Sequence, residues 1–170
     1  MSQTKSNEEE DLELHDYLDE EGKVYLKTHE EIDRDLNGEI VVLEEGYVEL
    51  RLTTRTEMIA DSLGLIHGGF IFSAADYAVM AAVNEKNVVL VASDCQFLSP
   101  VKIHDEVNFV ARVRQKEGRK RNVHVEAFVH EIKVFEGEFK TVITERHILK
   151  LKLYDESEGE EEETEQSSEE

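Results

Sequence analysis

A single cysteine, Cys95, stands in the whole chain, so no disulfide can close within it, and a reducing compartment, the cytoplasm, is expected. The same scarcity removes the paired thiols of most structural zinc sites. His15, His29, His104, His124, His130 and His147 show no metal-ligand spacing, so no metal is expected. Cys95 itself, in a strand-like segment, reads as a small apolar residue and not as a reactive thiol. No apolar run is long enough to cross a membrane: the stretch 68–83 has 16 residues and contains Asp76. The N-terminus lacks the basic and then apolar pattern of a secretory leader. No Gly-x-Ser-x-Gly surrounds Ser73, which argues against a serine nucleophile elbow.

Positive charge is also short. Against 40 acids stand 19 bases, a formal charge of −21, which disfavours nucleic acid as a partner. The excess is local: residues 1–21 hold nine acids and one Lys, and 155–170 hold ten acids and no base, leaving 21 acids against 18 bases between. Such runs cannot bury enough apolar surface to offset the entropy of ordering, so both ends are expected to be disordered tails. The expected organisation is a tail at 1–21, a linker or N-terminal extension at 22–37, one folded domain at 38–154 and a tail at 155–170.

Within that domain, residues 39–43 are rich in β-branched side chains and 47–53 alternate apolar with polar, two strands joined at Glu45-Gly46. An irregular piece follows over 54–66. Residues 68–84 carry apolar side chains on nearly every side of a helical wheel, so that helix must be surrounded by protein. The run 87–98 begins with a continuous apolar stretch, as a central strand covered on both faces would, and ends at Ser99-Pro100. Val107, Phe109, Ala111 and Val113, then Val123, Val125, Ala127 and Val129, alternate as a long hairpin turning near Glu117-Gly118. A further turn near Glu136-Gly137 would lead into a last strand from Phe139 to about Leu153. One enclosed helix with about six antiparallel strands is an α+β domain, and its open sheet edges favour a second subunit.

His67-Gly68-Gly69 opens the helix. Glycines there let a ligand approach the backbone, and the free amides of a helix N-terminus favour negative charge on a ligand atom, such as the oxyanion of a thioester. A packing turn needs the same residues. Asp76 lies four residues after Phe72 and three before Val79 in an otherwise apolar helix. A buried carboxylate persists only with hydrogen-bond partners or with a task as base or nucleophile.

The stretch from Gly64 through His67-Gly68-Gly69 to Asp76-Tyr77 resembles the signature of PaaI-like thioesterases of the hotdog fold, with an Asp nine residues after the His, and the segment ending Phe97-Leu-Ser-Pro100 is similar to that family's next element. The resemblance covers about 38–149 and implies a dimeric hotdog, a six-stranded sheet wrapped around one helix. It also implies roles. Gly68 would polarise the thioester carbonyl through its amide, Asp76 would act across a dimer interface as base or nucleophile, and His67 would fix the local geometry. Where the family has a water-orienting Asn, this chain has Asp61, a second base or a loop acid. A supporting hydroxyl of the family falls at Leu90, with Ser93 nearby. Gly69 and Ser73 would line the substrate, Ser73 as a packing or hydrogen-bonding neighbour of Asp76.

The second half, from Val101 to Val113 and again around Gly118-Arg119 and Val134 to Phe139, also resembles the malonyl-CoA-sensing hotdog domain of a bacterial repressor of lipid-synthesis genes, which binds without hydrolysis. A weaker similarity is to small hotdog proteins co-expressed with flagella. Six bases, Arg112, Arg114, Lys116, Arg119, Lys120 and Arg121, fall within ten residues. Arg119, Lys120 and Arg121 would hold the phosphates of CoA, unless the hairpin is basic only for solubility. The expected ligand is an acyl-CoA, its CoA moiety arriving with the substrate and no separate cofactor needed. The expected assembly is a homodimer or a dimer of dimers. The activity implied is thioester hydrolysis, with acyl-CoA sensing as the alternative.

Overall fold

The computed structural model describes residues 18–151. The expected tails at 155–170 and over 1–17 lie outside the described residues. Residues 18–21 form the start of a tight turn in which Asp19 Oδ1 accepts from the amides of Glu21 and Lys23.

Six strands form one antiparallel sheet: β1 (Glu39–Glu44), β2 (Tyr47–Thr53), β3 (Val88–Phe97), β4 (Glu106–Glu117), β5 (Lys120–Val129) and β6 (Ile132–Ile143). Their order across the sheet is β1-β2-β4-β5-β6-β3. A short helix α1 (Arg34–Asn37) precedes the sheet, and the long helix α2 (Gly68–Val83) lies in its concave face. This is the hotdog arrangement that the sequence resemblance implies.

The alternation in the sequence explains which face each strand buries. Val48, Leu50 and Leu52 of β2, Val107, Phe109 and Ala111 of β4, and Val123, Val125 and Ala127 of β5 are buried in the same core as α2. Ten of the 16 helical residues are buried, from Ile71 to Val83, as a helix apolar on all sides requires. The sheet covers one side of it. The other side is covered by residues 25–37, which run back along α2. Asn84 anchors one end: its Oδ1 accepts from the Lys27 amide at 2.8 Å and its Nδ2 donates to Tyr25 O at 2.7 Å. His29 lies against Tyr77, and the Ser73 hydroxyl donates to Asn37 Oδ1 at the other end. Positions 73, 77 and 84 share one stripe of the helix, which is why a single extended segment can cover them.

Three expectations are corrected. The segment 88–97 is an edge strand of the subunit and not a central one: only β6 pairs with it, and Val91 and Phe97 are more than half exposed. Its apolar run marks an edge that this subunit leaves uncovered. Glu136-Gly137 is not a turn but the middle of β6, where a side chain at Gly137 would come within 2.9 Å of Cys95 Sγ. The turn is His130-Glu131, with His130 at φ 53°, and the last strand ends at Ile143. No helix among the described residues is long and apolar enough to cross a membrane.

Candidate functional site

The start of α2 is fixed from outside. The Ile66 amide donates to Val101 O and the His67 amide to Met58 O, both at 2.9 Å, so two neighbouring segments hold the chain extended until the helix begins. His67 is the N-cap, at φ −64° and ψ 127°, and its side chain caps nothing. Its exposed ring stands edge-on to Phe70. Gly68 and Gly69 are the first helical residues, and neither amide donates a hydrogen bond within the described chain. Gly68 packs beside Phe97, whose ring would lie 3.2 Å from a Cβ placed there. A ligand oxygen can therefore reach two free, dipole-assisted donors only because no side chain occupies the space.

Asp76 lies two turns further on. Its Oδ1 is buried and has no hydrogen-bond partner in the subunit, and burial pushes the carboxyl up to about 6. Gly68 and Asp76 are about 12 Å apart along the axis of one helix, too far to serve the same carbonyl carbon. Ser73 is one turn before Asp76, but its hydroxyl is turned to Asn37 and not to the carboxyl.

Asp61 is exposed, and its Oδ1 accepts from the amides of Leu63 and Leu65 at 2.9 and 3.1 Å. It shapes the loop ahead of the helix. Around that loop an apolar rim stands open: Leu63 is 91% exposed, and Leu65, Phe97 and Leu98 are each more than two-fifths exposed. Ser93 is exposed on β3 and Leu90 is half-buried there.

The basic hairpin is at the other end of the subunit. Arg121 pairs across the sheet with Thr141, and Thr141 with Leu90, whereas Gly68 packs against Phe97. Seven residues of β3 separate these levels, about 23 Å. Arg121 donates to Gly118 O and Lys120 O, closing its own turn, while Arg119 meets Glu145 at 3.8 Å and Lys120 stays exposed. One subunit thus brings His67, Gly68 and Gly69 together, sets Asp76 apart, and holds Arg119, Lys120 and Arg121 far from both. Asn37 was not foreseen beside Ser73; the only signal is the pair Asn37-Gly38, a common helix stop.

Comparisons with known proteins bear on the family and the fold. Residues 63–135 match the family model of the thioesterase superfamily. A methylthioribose-1-phosphate isomerase of Aquifex aeolicus is 54% identical over 117 residues, 69% of this chain and 26% of that protein. The transcription factor FapR of Staphylococcus aureus is 27% identical over 56% of this chain and 51% of its own length. The acyl-coenzyme A thioesterase PaaI of Escherichia coli is 32% identical over 52% of this chain and 64% of its own. The chain therefore spans about a quarter to under two thirds of these relatives. Two solved structures are covered more fully. An uncharacterized protein of Pyrococcus horikoshii is 41% identical with a TM-score of 0.73, covering 74% of this chain and 97% of its own. A sigma28-regulated virulence protein of Campylobacter jejuni is 39% identical with a TM-score of 0.72, covering 74% and 89%.

Proposed function

Because this chain belongs to the thioesterase superfamily of hotdog folds, we propose that two copies of it bind an acyl-CoA thioester between them and hydrolyse it to free acid and CoA. The observation that carries the reading is Asp76: a carboxyl oxygen buried without a partner, in a helix whose other turns are apolar. Such a group costs the fold several kcal/mol unless it has work to do.

The open edge of β3 and the apolar rim beside it support the second copy. If β3 pairs antiparallel with the same strand of another subunit, the second helix is turned end for end. Its Gly68 then moves toward this subunit's Asp76, closing a gap that one helix cannot. The same reversal brings that Gly68 toward the Leu90 end of this subunit, where the turn carrying Arg119, Lys120 and Arg121 stands. A thioester carbonyl would accept from the Gly68 amide of one copy and CoA phosphates would meet the basic turn of the other.

Asp76 then removes a proton from water as the water oxygen bonds to the carbonyl carbon. Collapse of the oxyanion breaks the carbon–sulfur bond, and CoA leaves as thiolate to be protonated. Alternatively the carboxylate attacks first and water cleaves the resulting anhydride. His67 holds the helix start, and Gly69 adds a second free amide.

The test is release of free thiol from a panel of acyl-CoA esters by the full chain. Hydrolysis of at least one ester should fall by about a hundredfold or more in Asp76→Ala. A second reading rests on Asp61, whose carboxylate oxygen is committed to two loop amides and is poorly placed to orient water. FapR, a transcription factor, is similar in sequence to this chain over 95 residues, which fits a binding role without turnover. A chain that binds an acyl-CoA and hydrolyses none would decide for that reading.

A further inference from the structure

The outer face of the sheet, turned away from α2, carries an arrangement that neither the thioester chemistry nor the sequence spacing accounts for. His124 is at an outward position of β5, between the core residues Val123 and Val125, yet only 9% of its side chain is exposed. Its Nδ1 is 2.5 Å from Glu138 Oε1. Its Nε2 lies 3.3 Å from Glu136 Oε1 without forming an aligned hydrogen bond. Glu126, two residues along β5, is paired in register with Glu136 on β6. One ligand atom from each of His124, Glu126 and Glu136 falls within 4.8 Å of the other two. A cavity of about 190 Å³ is lined by His124, Glu136 and Glu138 together with Asp94 and Gln96 of β3.

From this geometry we propose a binding site for a first-row divalent cation of the zinc type, held by His124 Nε2 and the carboxylates of Glu126 and Glu136. Three features argue for it together. An imidazole that gives one nitrogen to a carboxylate and aims the other at further carboxylates has the tautomer and orientation of a metal ligand. A tetrahedral centre with bonds of about 2.1 Å separates its ligands by about 3.4 Å, close to the distance already present between Nε2 and Glu136. Finally, Glu126 and Glu136 are like charges placed directly opposite, which is unfavourable unless a cation lies between them.

Lys133 supplies that cation in the metal-free chain. Its ammonium is 2.5 Å from Glu126 and 3.6 Å from Glu136, and stands over the ring of Phe128 at 5.8 Å from its centre. No hydrogen bond among the described residues joins this ammonium to His124. A divalent ion bonding to Nε2 as well as to both carboxylates would displace it into solvent, to which the Lys133 side chain is already one-third exposed. Lys133 is thus a competitor that sets the threshold concentration for the metal. The ligands come from two strands, two residues apart on one and ten residues later on the other, so no linear motif announces them.

Calorimetric titration of the full chain with zinc chloride, with calcium chloride as an oxygen-preferring comparator, tests the site. One zinc ion per chain should bind with an affinity that falls by about tenfold or more in Glu126→Gln and in His124→Asn, and rises by about tenfold in Lys133→Met. Calcium should show no such dependence, and bound zinc should raise Tm in the parent and in Lys133→Met. Glu126 is half-buried on the outer face of the sheet, outside the core around α2, so its variant keeps the fold even if His124→Asn does not. Zinc uptake unchanged across all these variants would assign it to acidic residues elsewhere and overturn the site. Failure of Lys133→Met to bind more tightly than the parent would equally overturn it.

Discussion

Asp76 puts a charge where the rest of α2 puts methyl groups, and the consequence is measurable apart from any activity. The folded chain raises this carboxyl from 3.8 to about 6 through burial, so the folded state holds the proton more tightly than the unfolded state does. Its contribution to stability is full below about pH 4 and is lost as pH rises through about 6, to a limit of about 3 kcal/mol. Asp76→Asn cannot ionise. It should unfold at higher denaturant than the parent at about pH 8, by the equivalent of about 1–3 kcal/mol, and the difference should shrink toward zero near pH 4. Equal stability of the two proteins at both pH values would mean that the carboxyl is solvated. Hydrolysis carried by the ionised form should fall as pH drops through about 6, because the base is then protonated. A stabilised variant without turnover is the expected signature of a residue kept for chemistry.

At the scale of elements, the segment 25–37 and α2 depend on Asn84. This residue takes the left-handed conformation that ends the helix, at φ 50°, and its amide joins two backbone groups of the covering segment. Asn84→Ala should lose about 1–2 kcal/mol in denaturant unfolding, since two part-buried backbone groups lose their partner. Amide exchange over 25–37 should also accelerate in that variant; exchange unchanged there would show that the segment is held by its apolar contacts alone. None of this was legible in the sequence, because Asn84 reads only as a helix stop. The strands were legible where one face meets α2: β2, β4 and β5 follow their alternation closely, and α2 ends within one residue of its expected limit. They were misread where the reason for a residue lies on another strand. Gly137 looked like a turn because its need, room for Cys95, is invisible along the chain. His124 showed no ligand spacing along the chain because Glu136 and Glu138 come from β6. The helix start and the buried Asp76 carboxyl were legible as structure, since glycine at a helix start and a carboxylate within an apolar helix are local anomalies.

At the scale of the whole molecule, the decisive question is whether one thioester site draws on two chains. Gly68 is the first helical residue, after an N-cap already extended at ψ 127°, so proline suits the backbone at both positions; it removes the amide hydrogen and adds a ring beside Phe97, whose exposed side chain can shift the few tenths of an ångström that a Cβ needs. Gly68→Pro should keep the fold and lose about a hundredfold or more in turnover, as the loss of an oxyanion donor does. Asp76→Ala should lose turnover for its own reason. Co-expressed at equal levels, the two inactive chains would form mixed dimers in half of the population. Each mixed dimer holds one site with both defects and one with neither, so about a quarter of parental activity should return if each site pairs Gly68 of one copy with Asp76 of the other. A site contained in a single subunit would recover nothing, because every chain carries a defect. Activity near zero in the mixture, with mixed dimers demonstrated by mass spectrometry, would therefore refute the shared cleft. Substituting Val91 with Lys on the open edge of β3 gives an independent check. It should shift the chain toward monomer in sedimentation and remove turnover with it, since the edge that leaves β3 exposed is the one the second copy is proposed to cover.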